Sequence, residues 1–317
     1  MINITGHRLH LDDTVISDLR ERLERTRWPV QLPGVDGWSK GVPVDAARAW
    51  AERWAEFDWA ARQQQLNAVP QFGADIDGHR LHFAHVRSDR DDAIGVLLLH
   101  GWPDTSFELF DLIEDLVRPE TDQQAFHVVI PSHPGMGVPG PTSEPWDVDR
   151  TAKAYAALMS ELGHDQYVVQ GGDHGAVLAP HVARVDPDHV RGVHVNAATL
   201  GFMPMEAVDD ETRANLTPIE QRRLDLITEF LTDGSGYNTI QTTRPRTIGY
   251  GLTDSPTALL TWFLEKYHDW AGDPAVLENP RVGDAVLTNL TIYWATGTAT
   301  SAVANVYAAY GALFADR

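Results

Sequence analysis

One acidic side chain has a setting that suits chemistry: Asp173, in Val168-Val169-Gln170-Gly171-Gly172-Asp173-His174-Gly175-Ala176. A short apolar strand runs into a small-x-Asp-x-small turn, and helix-forming residues follow. This is the layout of a nucleophile elbow, the strained turn that presents one reactive side chain at the top of a parallel sheet. Gly171 and Gly175 flank the reactive position because a Cβ on either would clash where strand and helix backbones approach. An Asp nucleophile forms an alkyl ester by displacement at an sp3 carbon, so the fitting electrophiles are epoxides or alkyl halides rather than acyl groups. The competing reading is a surface turn, since Gly and Asp dominate turns.

A second motif earlier in the chain weighs against that bland reading. Val96-Leu97-Leu98-Leu99 reads as a buried strand ending in His100-Gly101-Trp102-Pro103. A backbone N–H of such a turn supplies one donor of an oxyanion hole, and the N–H of the residue after the nucleophile, His174, supplies the other.

The elements that must position these groups follow from length and pattern. A chain of 317 residues, 43% hydrophobic, fits one large α/β domain with an inserted lid, or two smaller domains. From residue 77 onward strands alternate with helices: strands at 79–86, 94–99, 126–130 and 190–195 besides the elbow strand, helices at 107–117 and 148–162, the latter stopping at Gly163. Alternation of this kind implies a mostly parallel sheet covered on both faces. Before it come an amphipathic helix at 14–27 and a Trp-rich helix at 44–65, with Trp38, Trp50, Trp54 and Trp59 read as anchors onto the main body. After Asn196 the strands stop. Thr217-Pro218-Ile219-Glu220 is a capping box opening a helix to about residue 231, and further helices are expected at 256–267 and 284–296. The expected division is an N-terminal extension at 1–75, a core at 76–198 and a helical lid at 199–317.

Composition excludes several classes. A net charge of −20 argues against nucleic acid or an anionic membrane as partner. With no Cys there is no disulfide framework, thiol nucleophile or Cys-ligated metal, and the cytoplasm is the expected compartment. The first ten residues lack a signal-peptide pattern, and no apolar stretch reaches the ~18 residues that suggest a membrane span. The fourteen His show no metal-ligand spacing. The Ala- and Arg-rich, Lys-poor composition has a bacterial look.

Taken together, these residues resemble the epoxide hydrolases of the α/β-hydrolase superfamily, specifically the microsomal-type branch with an N-terminal extension. Arg25-Thr26-Arg27-Trp28-Pro29 and Gly37-Trp38-Ser39-Lys40-Gly41-Val42-Pro43 look like that extension. His100-Gly101-Trp102-Pro103, Pro131-Ser132-His133-Pro134-Gly135 and Gly171-Gly172-Asp173-His174-Gly175 look like its core loops. The stretch from Ser235-Gly236-Tyr237 to Asp254-Ser255-Pro256, and Tyr293-Trp294-Ala295-Thr296-Gly297-Thr298, look like its lid. The resemblance implies an α/β-hydrolase fold with the lid inserted after the sixth strand and no cofactor. The membrane anchor of the mammalian members is not expected here. It implies that Asp173 attacks an oxirane carbon of a small apolar epoxide while lid tyrosines protonate the opening oxygen: Tyr237, and Tyr307 with Tyr310 as the alternative. Water then hydrolyses the ester, its oxyanion resting on the N–H groups of Trp102 and His174, with His100 and Gly101 completing that loop.

Some positions depart from the family pattern. The family places a charge-relay acid and a catalytic His on loops after the seventh and eighth strands, and this chain ends at Arg317, before them. Asn196 offers no substitute carboxylate, and nothing in Glu265-Lys266-Tyr267-His268-Asp269-Trp270 marks His268 as a replacement base. His174 stands where the family often carries Trp, and His133 and Met136 stand where apolar and aromatic residues are expected. The resulting expectation is alkylation of Asp173 followed by slow release. A strand edge near 192–195 is left to be covered by a fuller chain or by a second copy. Two other readings stay open: a haloalkane-type dehalogenase, which shares the fold and the Asp nucleophile, and a catalytically silent relative that binds an apolar ligand.

Overall fold

The computed structural model describes residues 2–120, 122–196 and 208–304. In chain order its elements begin with strand β1 (Asn3–His7) and helices α1 (Asp13–Glu24), α2 (Val44–Glu56) and α3 (Trp59–Leu66). Strands β2 (Gln71–Ile76), β3 (His79–Val86) and β4 (Ile94–Leu99) follow, then a 3-10 turn at Ser106–Leu112 and helix α4 (Ile113–Val117). Next come β5 (Phe126–Pro131), α5 (Val148–Glu161), β6 (Tyr167–Gly171), α6 (His174–Val185) and β7 (Val190–Val195). Helices α7 (Asp210–Ala214), α8 (Pro218–Glu229), α9 (Gly236–Thr243), α10 (Pro245–Asp254), α11 (Pro256–Trp270) and α12 (Pro280–Thr296) complete the described part.

The seven strands form one sheet in the order β1-β2-β3-β5-β4-β6-β7. The β1/β2, β2/β3 and β3/β5 pairs are antiparallel, and β5/β4, β4/β6 and β6/β7 are parallel. The central β4 is a continuous apolar run because both its faces are covered, as parallel strands require. On one face Leu97, Leu99 and Val169 pack with Tyr155 and Leu158 of α5 and Leu178 of α6. On the other, Val96, Leu98 and Ile130 pack with Ile113 and Val117 of α4. This is an α/β-hydrolase fold with a mixed sheet, parallel from β5 through β4 and β6 to β7.

The sequence pattern did not announce β1 or β2. Both lie in the antiparallel margin, where five- and six-residue strands such as Asn-Ile-Thr-Gly-His carry little periodicity. With β1 and β2 counted, the helices expected after the sixth strand follow the seventh. The expected helix at 44–65 is two helices, because Phe57 turns to an extended ψ of 125° and the Asp58 side chain caps the N–H of Ala61. Part of the expected helix at 107–117 is the 3-10 turn.

The N-terminal helices and the helices after β7 bury one shared apolar cluster. It holds Leu19, Leu23 and Trp54 from the first part of the chain, Leu259, Phe263, Leu290 and Tyr293 from α11 and α12, and Trp102 from the loop after β4. Within it the Trp54 indole N–H donates to Thr291 Oγ1 at 2.9 Å. At the surface Arg22 meets Asp254, Lys40 meets Asp233 and Arg53 meets Asp284. Such exposed pairs add little, so the cluster carries the attachment. Among the described residues β7 is a sheet edge, with Val193 40% exposed, and no described helix is long and apolar enough to cross a membrane.

Replacing Trp54 with Ala empties a buried indole site shared by both segments, and chemical denaturation should show a loss of about 3–5 kcal/mol. Trp54→Phe keeps most of the packing and should lose only about 1 kcal/mol through the hydrogen bond. A Trp54→Ala variant as stable as the parent would refute a shared core.

Candidate active site

The backbone at the end of β6 explains why Asp173 stands proud of the sheet. Asp173 has φ 50° and ψ −119°, a conformation that costs a non-glycine residue on the order of 1–3 kcal/mol. Its neighbours hold it there. The Gly172 N–H donates to the Leu99 carbonyl at 3.3 Å and the Gly175 N–H to the His100 carbonyl at 3.1 Å. A Cβ on Gly175 would lie 2.3 Å from the Leu99 oxygen, and one on Gly171 would lie 2.0 Å from the Gly175 oxygen. Both glycines are therefore required where β4, β6 and α6 converge.

The loop after β4 supplies the groups facing the Asp173 carboxylate. The Trp102 N–H donates to Asp173 Oδ1 at 3.0 Å, and the His174 backbone N–H bonds the same carboxylate. Gly101 allows this approach, since a Cβ there would sit 2.5 Å from Asp173 Cβ. Loss of hydration raises the Asp173 carboxyl above its ordinary value. The two N–H groups act against that rise, and the nearby Asp104 charge adds to it. The arrangement can hold a carboxylate oxygen, or the oxyanion that replaces it when an ester carbonyl is attacked.

Behind the loop a run of buried imidazoles fixes its orientation. His100 Nε2 accepts the His133 N–H at 3.1 Å, so the His100 proton is on Nδ1, which donates to the Gly101 carbonyl at 3.0 Å. His133 Nε2 donates to the His100 carbonyl at 2.8 Å, leaving Nδ1 to accept the Tyr155 hydroxyl at 2.7 Å. Thus the peptide joining Gly101 and Trp102 is held at both ends, its carbonyl by His100 and its N–H by Asp173. Burial pushes His133 down to about 4. Burial, then the neighbouring His133, holds both His100 and His174 well below the ordinary value.

An aromatic wall surrounds the Trp102 ring. The Trp102 and Tyr237 rings stack at 5.8 Å with 5° between their planes, and Trp270 and Phe263 meet Trp102 edge-on. The Lys266 Nζ sits 4.4 Å from the Tyr237 ring centroid. Beside the wall, Asp104 Oδ1 accepts from the Tyr267 hydroxyl at 2.6 Å and from Asn289 Nδ2 at 2.8 Å, and its side chain also bonds Glu108. Burial raises Asp104. Glu108 is pushed well above the usual carboxylate range by loss of hydration and by the Asp104 charge. The second cause is the firmer, because Glu108 keeps exposed surface. One proton shared between the two carboxyls relieves their repulsion.

The fold thus brings Asp173, Trp102, His174, His100, Gly101 and Tyr237 to one place. Tyr307 and Tyr310 lie outside the described residues. His268 is stacked on Trp38 at 3.9 Å and pairs with Asp269. Asn196 stands beside Gly172, where a Cβ would come 2.7 Å from its Oδ1. Sequence reasoning missed Asp104, Glu108 and Lys266. Asp104 directly follows Pro103, and Glu108 lies four residues on, a spacing that can bring two side chains together across a helical turn.

Comparison with known proteins gives a consistent picture. The model described as "Epoxide hydrolase N terminus" matches residues 4–109, and that described as "alpha/beta hydrolase fold" matches residues 95–316. A protein of Stigmatella aurantiaca, provisionally named an epoxide hydrolase, is 37% identical over 310 residues, covering 96% of this chain and 69% of its own. Epoxide hydrolase 1 of Oryctolagus cuniculus is 30% identical over 94% of this chain and 71% of its own. The crystal structure of juvenile hormone epoxide hydrolase from Bombyx mori superposes with a TM-score of 0.81 at 28% identity, over 97% of this chain and 76% of that one.

Two outcomes test this geometry. Gly101→Ala should displace the Trp102 N–H from Asp173 and abolish covalent labelling of Asp173 by an epoxide, read by intact mass; retained labelling would contradict the close approach. The raised Glu108 carboxyl binds its proton more tightly in the folded than in the unfolded chain, so it costs stability as pH rises through its folded value. Glu108→Gln should therefore raise the melting temperature at neutral and alkaline pH and leave it unchanged in acid. The opposite pH trend would show the pair to be unstrained.

Proposed function

Because the chain belongs to the epoxide hydrolase family of the α/β-hydrolase fold, we propose that it opens a small apolar epoxide through an ester on Asp173. The Asp173 carboxylate attacks a ring carbon and the carbon–oxygen bond of the oxirane breaks. The Tyr237 phenol gives its proton to the departing oxygen, with a second lid tyrosine, Tyr307 or Tyr310, sharing that role. Water then attacks the ester carbonyl while the Trp102 and His174 N–H groups receive the oxyanion, and the vicinal diol leaves. No cofactor is called for by this chemistry.

The observation that carries the reading is the Asp173 carboxylate, held on a strained elbow by two backbone N–H groups, one of them from Trp102, whose ring stacks on Tyr237. A displacing carboxylate needs an unprotonated oxygen and a water-poor approach, and the aromatic wall supplies the second. One feature favours a second reading, a dehalogenase. The buried Trp102 indole N–H has no hydrogen-bond partner among the described residues and is a donor of the kind a leaving halide needs.

Incubation with styrene oxide followed by intact mass should show one epoxide added to the parent chain, or diol formed in its place, and neither with Asp173→Asn. The lifetime of the adduct reports the rate of the second step. An adduct that survives in Asp173→Asn would remove Asp173 from the mechanism. Neither adduct nor diol, with reversible binding of the epoxide, would favour a silent binding relative, and halide release from 1-bromobutane would favour the dehalogenase. Since burial raises Asp173, the labelling rate should fall as pH drops through that raised value and level off above it. A rate independent of pH across the acid range would contradict a carboxylate nucleophile.

A further inference from the structure

Lys266 is 1% exposed, unusual for the residue type most reluctant to leave water. Its ammonium is paired with the Glu265 carboxylate on the preceding residue, and that side chain keeps 32% of its surface in solvent. The same nitrogen lies 4.4 Å from the centroid of the Tyr237 ring and 5.8 Å from that of Trp270. A pair serving only stability would gain by standing in water, since burying an ammonium costs more than one carboxylate returns. The position of this charge is explained by what it faces.

We propose that Lys266 is a positioning residue for epoxide opening, its buried ammonium on the Tyr237 ring making that phenol a stronger acid toward the departing oxygen. The proposal rests on the reading of Tyr237 given above. As the ring carbon bonds to Asp173, the electron pair of the broken carbon–oxygen bond goes to the oxirane oxygen. That oxygen takes the phenolic proton, and Tyr237 is left as a phenolate until water reprotonates it. A cation over a neutral ring is attracted by the quadrupole alone, whereas over a phenolate it meets a full negative charge. The contact therefore strengthens as the proton leaves, and only interactions that strengthen on the way to the transition state accelerate the step. Glu265 is the counter-charge, and its partial exposure weakens its competing claim on the ammonium.

The test follows the rate of covalent labelling by styrene oxide, by quenched flow and intact mass, in the full chain. Lys266→Met keeps the buried stem and removes the charge. It should slow labelling about tenfold, the size of a desolvated cation–π contact, while Lys266→Arg restores most of the rate. In a Tyr237→Phe background, Lys266→Met should change the rate by less than about twofold, because the acid it assists is gone. Equal slowing in both backgrounds would reduce Lys266 to a structural tie and overturn the proposal. If Tyr237→Phe alone leaves labelling untouched, the reading of Tyr237 fails. If Tyr237→Phe slows labelling but Lys266→Met matches the parent, only the role of Lys266 fails. Should Lys266→Met not fold, Lys266→Gln takes its place: it too removes the charge and should slow labelling about tenfold, and a rate equal to the parent's would overturn the proposal.

Discussion

The Leu99 carbonyl oxygen occupies the space a side chain at position 175 would need, and the rest of the site depends on that contact. It sets how closely α6 approaches the end of β4, and so how sharply the chain must turn between β6 and α6. Asp173 takes the sharpness of that turn in its own dihedral angles. The interlock offsets the strain because it is made of backbone groups with parallel strands on either side, which have little freedom to relax. Replacing Asp173 leaves the turn in place; adding a methyl group at Gly175 does not.

The same crowding decides the electrostatics. The floor of the site presents N–H groups to one carboxylate. Three acids, Asp173, Asp104 and Glu108, all shifted upward, stand within reach of one another. Like charges so close cannot all be ionised cheaply: Asp173 faces two backbone N–H groups, Asp104 accepts from Tyr267 and Asn289, and Glu108 faces the Asp104 charge and is pushed well above the usual carboxylate range. The buried Lys266 ammonium is turned to an aromatic face rather than to these acids.

How much of this was legible in the sequence depends on how local each signal is. The elbow was legible because its glycines, its Asp and its flanking strand and helix lie within one short segment. The loop after β4 was legible for the same reason, and resemblance over nearly the whole chain supplied Tyr237. The strands β1 and β2 were not legible: each is short, and their place in the sheet is set by pairing with distant residues. The break between α2 and α3 was hidden in an apolar pattern that runs through it, although Asp58 is a good capping residue. Lys266 lies two residues before His268 in a stretch with no motif of its own, and burial of a lysine leaves no trace in a single sequence. Asp104 and Glu108 have a helical spacing that reads as a solvated face until the fold presses Asp104 against Tyr267 and Asn289.

The imidazoles behind the elbow have a consequence for how the site responds to reaction. His82, His100, His133 and His174 are all buried and all disfavour the charged form, His82 down to about 3. Near neutrality this wall contains oriented N–H and C=O dipoles and no mobile proton. In the reaction proposed above the carboxylate at its face becomes a neutral ester, and nothing behind it has to change charge, tautomer or place. Most solvents answer a vanished charge by turning, and that turning is part of the barrier; these neutral rings, with His100 and His133 tied to backbone carbonyls and His82 to Ser132 and Gln71, stay as they were folded, so the reorganisation energy is spent once, during folding, and not at each turnover.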